Sequence, residues 1–125
     1  MKVKVLIVDD EKLERVLIRN GYAWEENGFA IVGEAGSGAE ALEAVERKRP
    51  DLVLTDIHMP HMDGLELAER IRKMNAACRI VIITGYREFD YARKAVRVGV
   101  EDFLLKPLDM EELGETVNKL REQII

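Results

Sequence analysis

The chain has 125 residues, 47% of them hydrophobic, enough for one compact domain over 1–125 and too few for a second sizeable core. Nineteen basic side chains against twenty-four acidic ones leave a formal charge of −5, the wrong sign for gripping phosphate backbones, which argues against direct nucleic-acid binding. One cysteine, Cys78, excludes an intramolecular disulfide and fits a reducing cytoplasm, and the apolar run from Val5 to Val8 stops at Asp9-Asp10, far short of a signal h-region or a membrane span.

In chain order, short β-branched runs at Val3 to Val8, Phe29 to Val32, Leu52 to Thr55, Ile80 to Thr84 and Phe103 to Leu105 predict five strands. Three of them are nearly continuous apolar runs without alternation, as strands buried on both faces of a parallel sheet require. Between them lie apolar residues at helical spacing: Leu13, Val16 and Leu17; Ala41, Leu42 and Val45; Leu67, Ile71 and Met74; Ala92, Ala95 and Val96; Leu113, Val117 and Leu120. These predict five helices with those residues on the inward faces. Ser37 and Asp109, each followed three residues later by Glu, mark two helix starts, and Pro50 closes the second helix. Strict alternation with short links predicts a right-handed doubly wound (βα)5 α/β fold.

In such a sheet a ligand lies outside the carboxyl ends of the strands. Here those ends carry Asp9 and Asp10, Asp56, Thr84 and Lys106-Pro107, so three carboxylates, a hydroxyl and an ammonium group share one rim. Crowded carboxylates are costly to keep ionised without a cation. A hard divalent ion such as Mg2+, which takes one or two carboxylates, waters and a phosphate oxygen, suits the set and points to phosphate chemistry.

The segments Val5-Leu6-Ile7-Val8-Asp9-Asp10-Glu11, Asp51 to Pro60 followed by Met62-Asp63-Gly64, Ile82-Ile83-Thr84-Gly85 and Lys106-Pro107 strongly resemble the receiver domains of bacterial two-component response regulators over essentially the whole chain. That resemblance implies a flavodoxin-like sheet of order 2-1-3-4-5. It implies Asp56 as phosphoryl acceptor, Asp10 as a direct Mg2+ ligand, Asp9 as a ligand acting largely through water, and the His58 backbone carbonyl completing the set. It also implies Thr84 and Lys106 contacting the phosphoryl oxygens, Phe103 as an aromatic switch residue, and a cis Lys106-Pro107 peptide. His58 and Tyr86 would influence attack by water on the phosphoryl group.

A sensor histidine kinase is the implied donor, and the face from Arg87 to Leu120 the route to an output domain or protein partner, with a homodimer as the active form of a transcription-factor receiver. No turnover beyond self-phosphotransfer and slow autodephosphorylation is implied. Trp24-Glu25, Gly28-Phe29, Val32 to Ala35 and Gly85 to Ala92 further resemble receivers that precede AraC-type DNA-binding domains. The chain departs from that pattern by stopping at Ile125, so an excised receiver and a stand-alone one acting on a protein partner both fit.

Three other readings use the same residues. Gly36-Ser37-Gly38-Ala39-Glu40-Ala41 matches GxGxxA, with Asp56 about twenty residues on, as in dinucleotide-binding folds. That reading leaves Asp9, Asp10, Thr84 and Lys106 idle, and it needs a strand running to the glycines, whereas the apolar run ends before Glu34. A Mg2+-dependent phosphohydrolase with an Asp nucleophile would carry a second Asp where His58 stands. His58 and His61 could form a metal pair, but two histidines on a proline-interrupted loop read better as solvent-facing.

Overall fold

The computed structural model describes residues 1–85 and 89–125, the side chains of 89–91 excepted. Five strands, β1 (Val3–Val8), β2 (Phe29–Ala35), β3 (Leu52–Thr55), β4 (Arg79–Thr84) and β5 (Asp102–Leu105), alternate with α1 (Lys12–Gly21), α2 (Gly38–Lys48), α3 (Gly64–Met74), α4 (Phe89–Val98) and α5 (Met110–Ile124). All pair in parallel, in the order β2-β1-β3-β4-β5. The three nearly continuous apolar runs occupy the three central positions, β1, β3 and β4. Period-two alternation then sorts their side chains between two cores. Leu6, Val8, Val53, Ile80 and Ile82 pack with α2, α3 and Ala95 of α4, while Val3, Val5, Ile7, Leu52, Leu54, Val81 and Ile83 pack with Ile18 of α1 and Leu113, Val117 and Leu120 of α5.

The expected caps are formed. Ser37 Oγ accepts from the Glu40 amide, and Asp109 accepts from the amides of Glu111 and Glu112. A third, Asp63, accepts from Glu66 N at 2.8 Å and starts α3. The second helix ends in Arg49, in the left-handed region at φ 49°, directly before Pro50.

Two local expectations are corrected. Strand β2 continues past Val32 to Ala35, because the register with β1 shifts between Val5 and Leu6. Leu6 pairs with Gly33 and Val8 with Ala35, so the pairing with β1 carries the strand through residues of low strand propensity. Strand β2 therefore does reach the glycine-rich turn, as a nucleotide loop would require.

The second correction concerns helix faces. Leu13 and Leu17 are 77% and 58% exposed and Val16 is exposed too, whereas Ile18 is buried. Glu14 and Arg15 take the inward side of the first turns of α1 instead. Val96 on α4 and Met74 on α3 are likewise exposed, although Ala95, Leu67 and Ile71 face the core as expected. It follows that Leu17→Gln should change unfolding free energy by less than about 0.5 kcal/mol in a urea titration, while Ile18→Ala should cost about 2–4 kcal/mol. Equal losses would return Leu17 to the core.

Candidate functional site

Parallel pairing of β1 with β3 and of β3 with β4 brings Asp9, Asp10, Asp56 and Thr84 to one edge of the sheet, at the β1/β3 point where the strand order reverses. Asp9 is 1% exposed and Asp56 is buried, while Asp10 is exposed. One carboxylate oxygen from each of the three lies within 4.8 Å of the others. Lys106 enters from the end of β5, held by its amide N–H donating to the Thr84 carbonyl at 2.8 Å. Its Nζ donates to Asp9 Oδ2 at 2.9 Å and lies 3.7 Å from Asp56 Oδ2 and 3.8 Å from Glu14 Oε2. The Lys106-Pro107 peptide is cis, as expected.

The remaining hydrogen bonds fix which oxygens are free. Asp9 Oδ1 accepts from the Glu11 amide at 3.0 Å, so both oxygens of Asp9 are already engaged. Asp56 Oδ1 accepts from the Ile57 amide at 2.9 Å, and Oδ2 faces Lys106. Burial pushes the Asp56 carboxyl above its ordinary range; Lys106 and the Ile57 amide oppose this, and Asp9 and Asp10 add to it. Burial acts to lower the Lys106 ammonium, but the hydrogen bond it donates to Asp9 and the charge of Asp56 outweigh it and hold the group raised. One lysine therefore does not neutralise this rim. Oxygen-only donors with excess negative charge fit a hard divalent cation, so the pocket of Asp9, Asp10 and Asp56 is able to bind Mg2+.

Gly64 places the acid cluster on a firm base. Its N–H donates to Ile57 O at 2.8 Å, and a methyl group at its Cα would collide with the Asp56 carbonyl oxygen and lie 2.9 Å from Asp56 C and 3.0 Å from Ile57 Cα. Only glycine allows α3 to start this close to the strand end. The glycine-rich turn after β2 is built differently: a side chain on Gly38 would meet Met62 Sδ at 2.6 Å, so the turn is packed against the β3–α3 loop. Its strand is also an edge strand, away from the switch point that dinucleotide-binding turns occupy.

Residues 5–118 match the response regulator receiver domain family. The chain belongs to that family. It is 36% identical to the transcriptional regulatory protein YesN of Bacillus subtilis, over 96% of this chain and 34% of YesN. It is 35% identical to the chemotaxis protein CheY of the same organism, over 95% of this chain and 98% of CheY. The receiver (REC) domain of AraT from Geobacillus stearothermophilus superposes with a TM-score of 0.92 at 45% identity, covering 99% and 96% of the two chains. The chain thus spans a third of YesN and about half of several other relatives.

As a receiver domain the protein works in two-component signalling. Its other expected site residues are placed as follows. Thr84 is fully buried. Thr84 shares the strand face of Ile80 and Ile82, and Phe103, in register with Ile82, is half-buried against that same core. His58 is half-buried, and His61 is exposed in the left-handed region at φ 68°. Among the described residues the cluster with metal-ligand spacing contains neither histidine. Tyr86, and the Arg87 at which the signalling face was expected to begin, lie outside the described residues. Sequence reasoning missed Glu14 and Arg15, because on α1 the leucines carry the apolar periodicity and the inward polar pair has no local signature.

Proposed function

We propose that this receiver domain accepts a phosphoryl group on Asp56 from the phosphohistidine of a sensor kinase, in a Mg2+-dependent transfer. The observation that carries the reading is the approach of Lys106 Nζ to within 3.7 Å of the Asp56 carboxylate beside Asp9 and Asp10. An Asp56 oxygen attacks phosphorus as the phosphorus–nitrogen bond to the imidazole breaks and the ring takes up one proton from solvent, leaving an acyl phosphate on the protein and neutral histidine on the donor. Asp10, Asp9, Asp56 and the His58 carbonyl would hold the ion, which supplies charge neutralisation at the phosphoryl oxygens. Lys106 and the Thr84 hydroxyl would contact those oxygens. The domain is a phosphoacceptor switch rather than a turnover enzyme.

The signal would travel as packing. Thr84 moves toward the new anion, Phe103 follows on the same face of the sheet, and the α4-β5-α5 surface changes. Shifting a population from 1:99 to 99:1 takes about 5.5 kcal/mol, and two charge-assisted hydrogen bonds at about 1.5–3 kcal/mol each supply much of it. Identity to the transcriptional regulatory protein YesN supports a transcriptional output domain, DNA-binding in this reading, as the recipient; a homodimer would be its active form. The full-length match to CheY supports the second reading, a stand-alone receiver acting on a protein partner. The domain would cover 1–125 and work in the cytoplasm; among the described residues no helix is long and apolar enough to cross a membrane.

Acetyl phosphate with Mg2+ should add one phosphoryl group, seen by intact mass, and EDTA should prevent it. Labelling that survives EDTA, multiple-turnover phosphatase activity, or NAD(H) binding would overturn the reading. Asp10 is exposed while both oxygens of Asp9 are engaged, so Asp10→Asn should raise the Mg2+ dissociation constant more than Asp9→Asn, measured by calorimetry. Amide exchange with and without beryllofluoride should differ across α4, β5 and α5 and be suppressed in Thr84→Ala. Changes confined to the loops around Asp9 and Asp56 would refute the coupling route.

A further inference from the structure

Asp10 projects from a peptide unit whose orientation is set from outside β1. The Asp9 carbonyl, which belongs to the Asp9-Asp10 peptide, accepts from Arg15 Nη1 at 2.6 Å, and in the preceding peptide the Asp9 amide donates to the Ala35 carbonyl of β2 at 3.1 Å. Arg15 is itself held, since its Nε donates to Glu34 Oε1 at 3.2 Å while Arg19 Nε lies 3.0 Å from Glu34 Oε2. The Arg15 and Glu34 side chains are only 17% and 25% exposed, which distinguishes the pair from a solvated surface bridge. Gly36 leaves room for the guanidinium: a Cβ there would stand 3.3 Å from Arg15 Nη1.

From these contacts we infer that Arg15, oriented by Glu34, is a positioning residue for the metal site: it clamps the Asp9-Asp10 peptide so that the exposed Asp10 carboxylate is aimed at the Asp56 pocket before an ion arrives. The inference rests on the metal-binding reading above. Its physical basis is geometric. Asp10 has little packing to fix its direction, so the plane of its own peptide decides where its carboxylate points, and a guanidinium fork can hold that carbonyl and a carboxylate partner at once. Partners standing behind metal ligands typically control metal affinity by about 10–100-fold.

Charge alone predicts the opposite sign, which makes the inference testable. Removing a cation beside an acidic pocket should tighten Mg2+ binding, and replacing it with another cation should leave binding unchanged. Mg2+ would be titrated into the full 125-residue chain and followed by calorimetry and by the amide shifts of Glu11 and Ile57, with melting in EDTA as the stability control. Arg15→Ala and Arg15→Lys should each weaken Mg2+ binding by about tenfold, and Glu34→Gln by a smaller factor, with the amide shifts at saturating Mg2+ returning to those of the wild type. Tighter binding in Arg15→Ala, or wild-type affinity in both Arg15→Lys and Glu34→Gln, would overturn it. Should Arg15→Ala fail to fold, the other two variants carry the test. A wild-type chain that binds no Mg2+, or an Asp10→Asn variant that binds it normally, would instead sink the metal-site reading beneath.

Discussion

Asp56→Asn should abolish labelling by acetyl phosphate and, without metal, melt at a higher temperature than the wild type. The first effect follows from chemistry, because a carboxamide is no nucleophile for phosphorus and no other carboxylate of the cluster is as favourably placed. Both oxygens of Asp9 are engaged, and among the described residues the carboxylates that pair with Lys106 are those of Asp9, Glu14 and Asp56, not Asp10. The second effect follows from linkage. Burial, with Asp9 and Asp10, holds the folded-state pKa of Asp56 above its ordinary value of 3.8. An acid raised in this way contributes stability that is fully present below the unfolded value and lost as pH rises through the folded one. Ionising Asp56 is thus a cost of folding, which asparagine removes. The gain should shrink on acidification towards 3.8 and also on adding Mg2+, since saturation at 100 times the dissociation constant stabilises the wild type by about 2.7 kcal/mol. Differential scanning calorimetry of both proteins at two pH values, with Mg2+ and with EDTA, checks all three parts. A destabilised, metal-independent Asp56→Asn would show that Lys106 needs this carboxylate more than burial opposes it.

Gly64→Ala should be the most damaging single methyl group in the molecule. The added carbon meets backbone, not a flexible side chain: the Asp56 carbonyl oxygen stands inside its contact radius, with Asp56 C at 2.9 Å and Ile57 Cα at 3.0 Å. Neither can withdraw without breaking the 2.8 Å bond from Gly64 N to Ile57 O or turning the Asp56 peptide away from Lys106. Overpacking of well-filled sites costs about 1–3 kcal/mol, and a clash against the main chain of Asp56 and Ile57 belongs at the upper end. A loss of about 3 kcal/mol corresponds to roughly 10 °C in Tm for a domain of this size. Chemical denaturation would show it, and labelling of any folded fraction would be slowed because Asp56 itself is displaced. An alanine variant within about 0.5 kcal/mol of the wild type would mean that α3 does not start this close to the strand.

The residues of this site were legible in the sequence as types at strand ends. Asp9, Asp10, Asp56 and Thr84 stand at the ends of apolar runs whose length and lack of alternation mark buried parallel strands, Lys106 follows the shorter run from Phe103 to Leu105, and Ser37 and Asp109 announce their helices by local capping chemistry. These signals are local: strand and helix periods, caps and breakers act over a few residues, so the sequence by itself determines element type, order and fold class. Tertiary structure alone decided the rest, because those facts depend on groups far apart along the chain. The 2.9 Å bond from Lys106 to Asp9 spans ninety-seven positions. Strand β2 reaches Ala35 only because β1 supplies partners through a register shift. On α1, periodicity favours Leu13 and Leu17 as the buried face, yet Glu14 and Arg15 take the inward positions, where Lys106 and the Asp9 carbonyl provide partners. A polar residue can displace an apolar one from an inner face when the structure supplies its hydrogen bonds, and no local pattern records whether such a partner will be there.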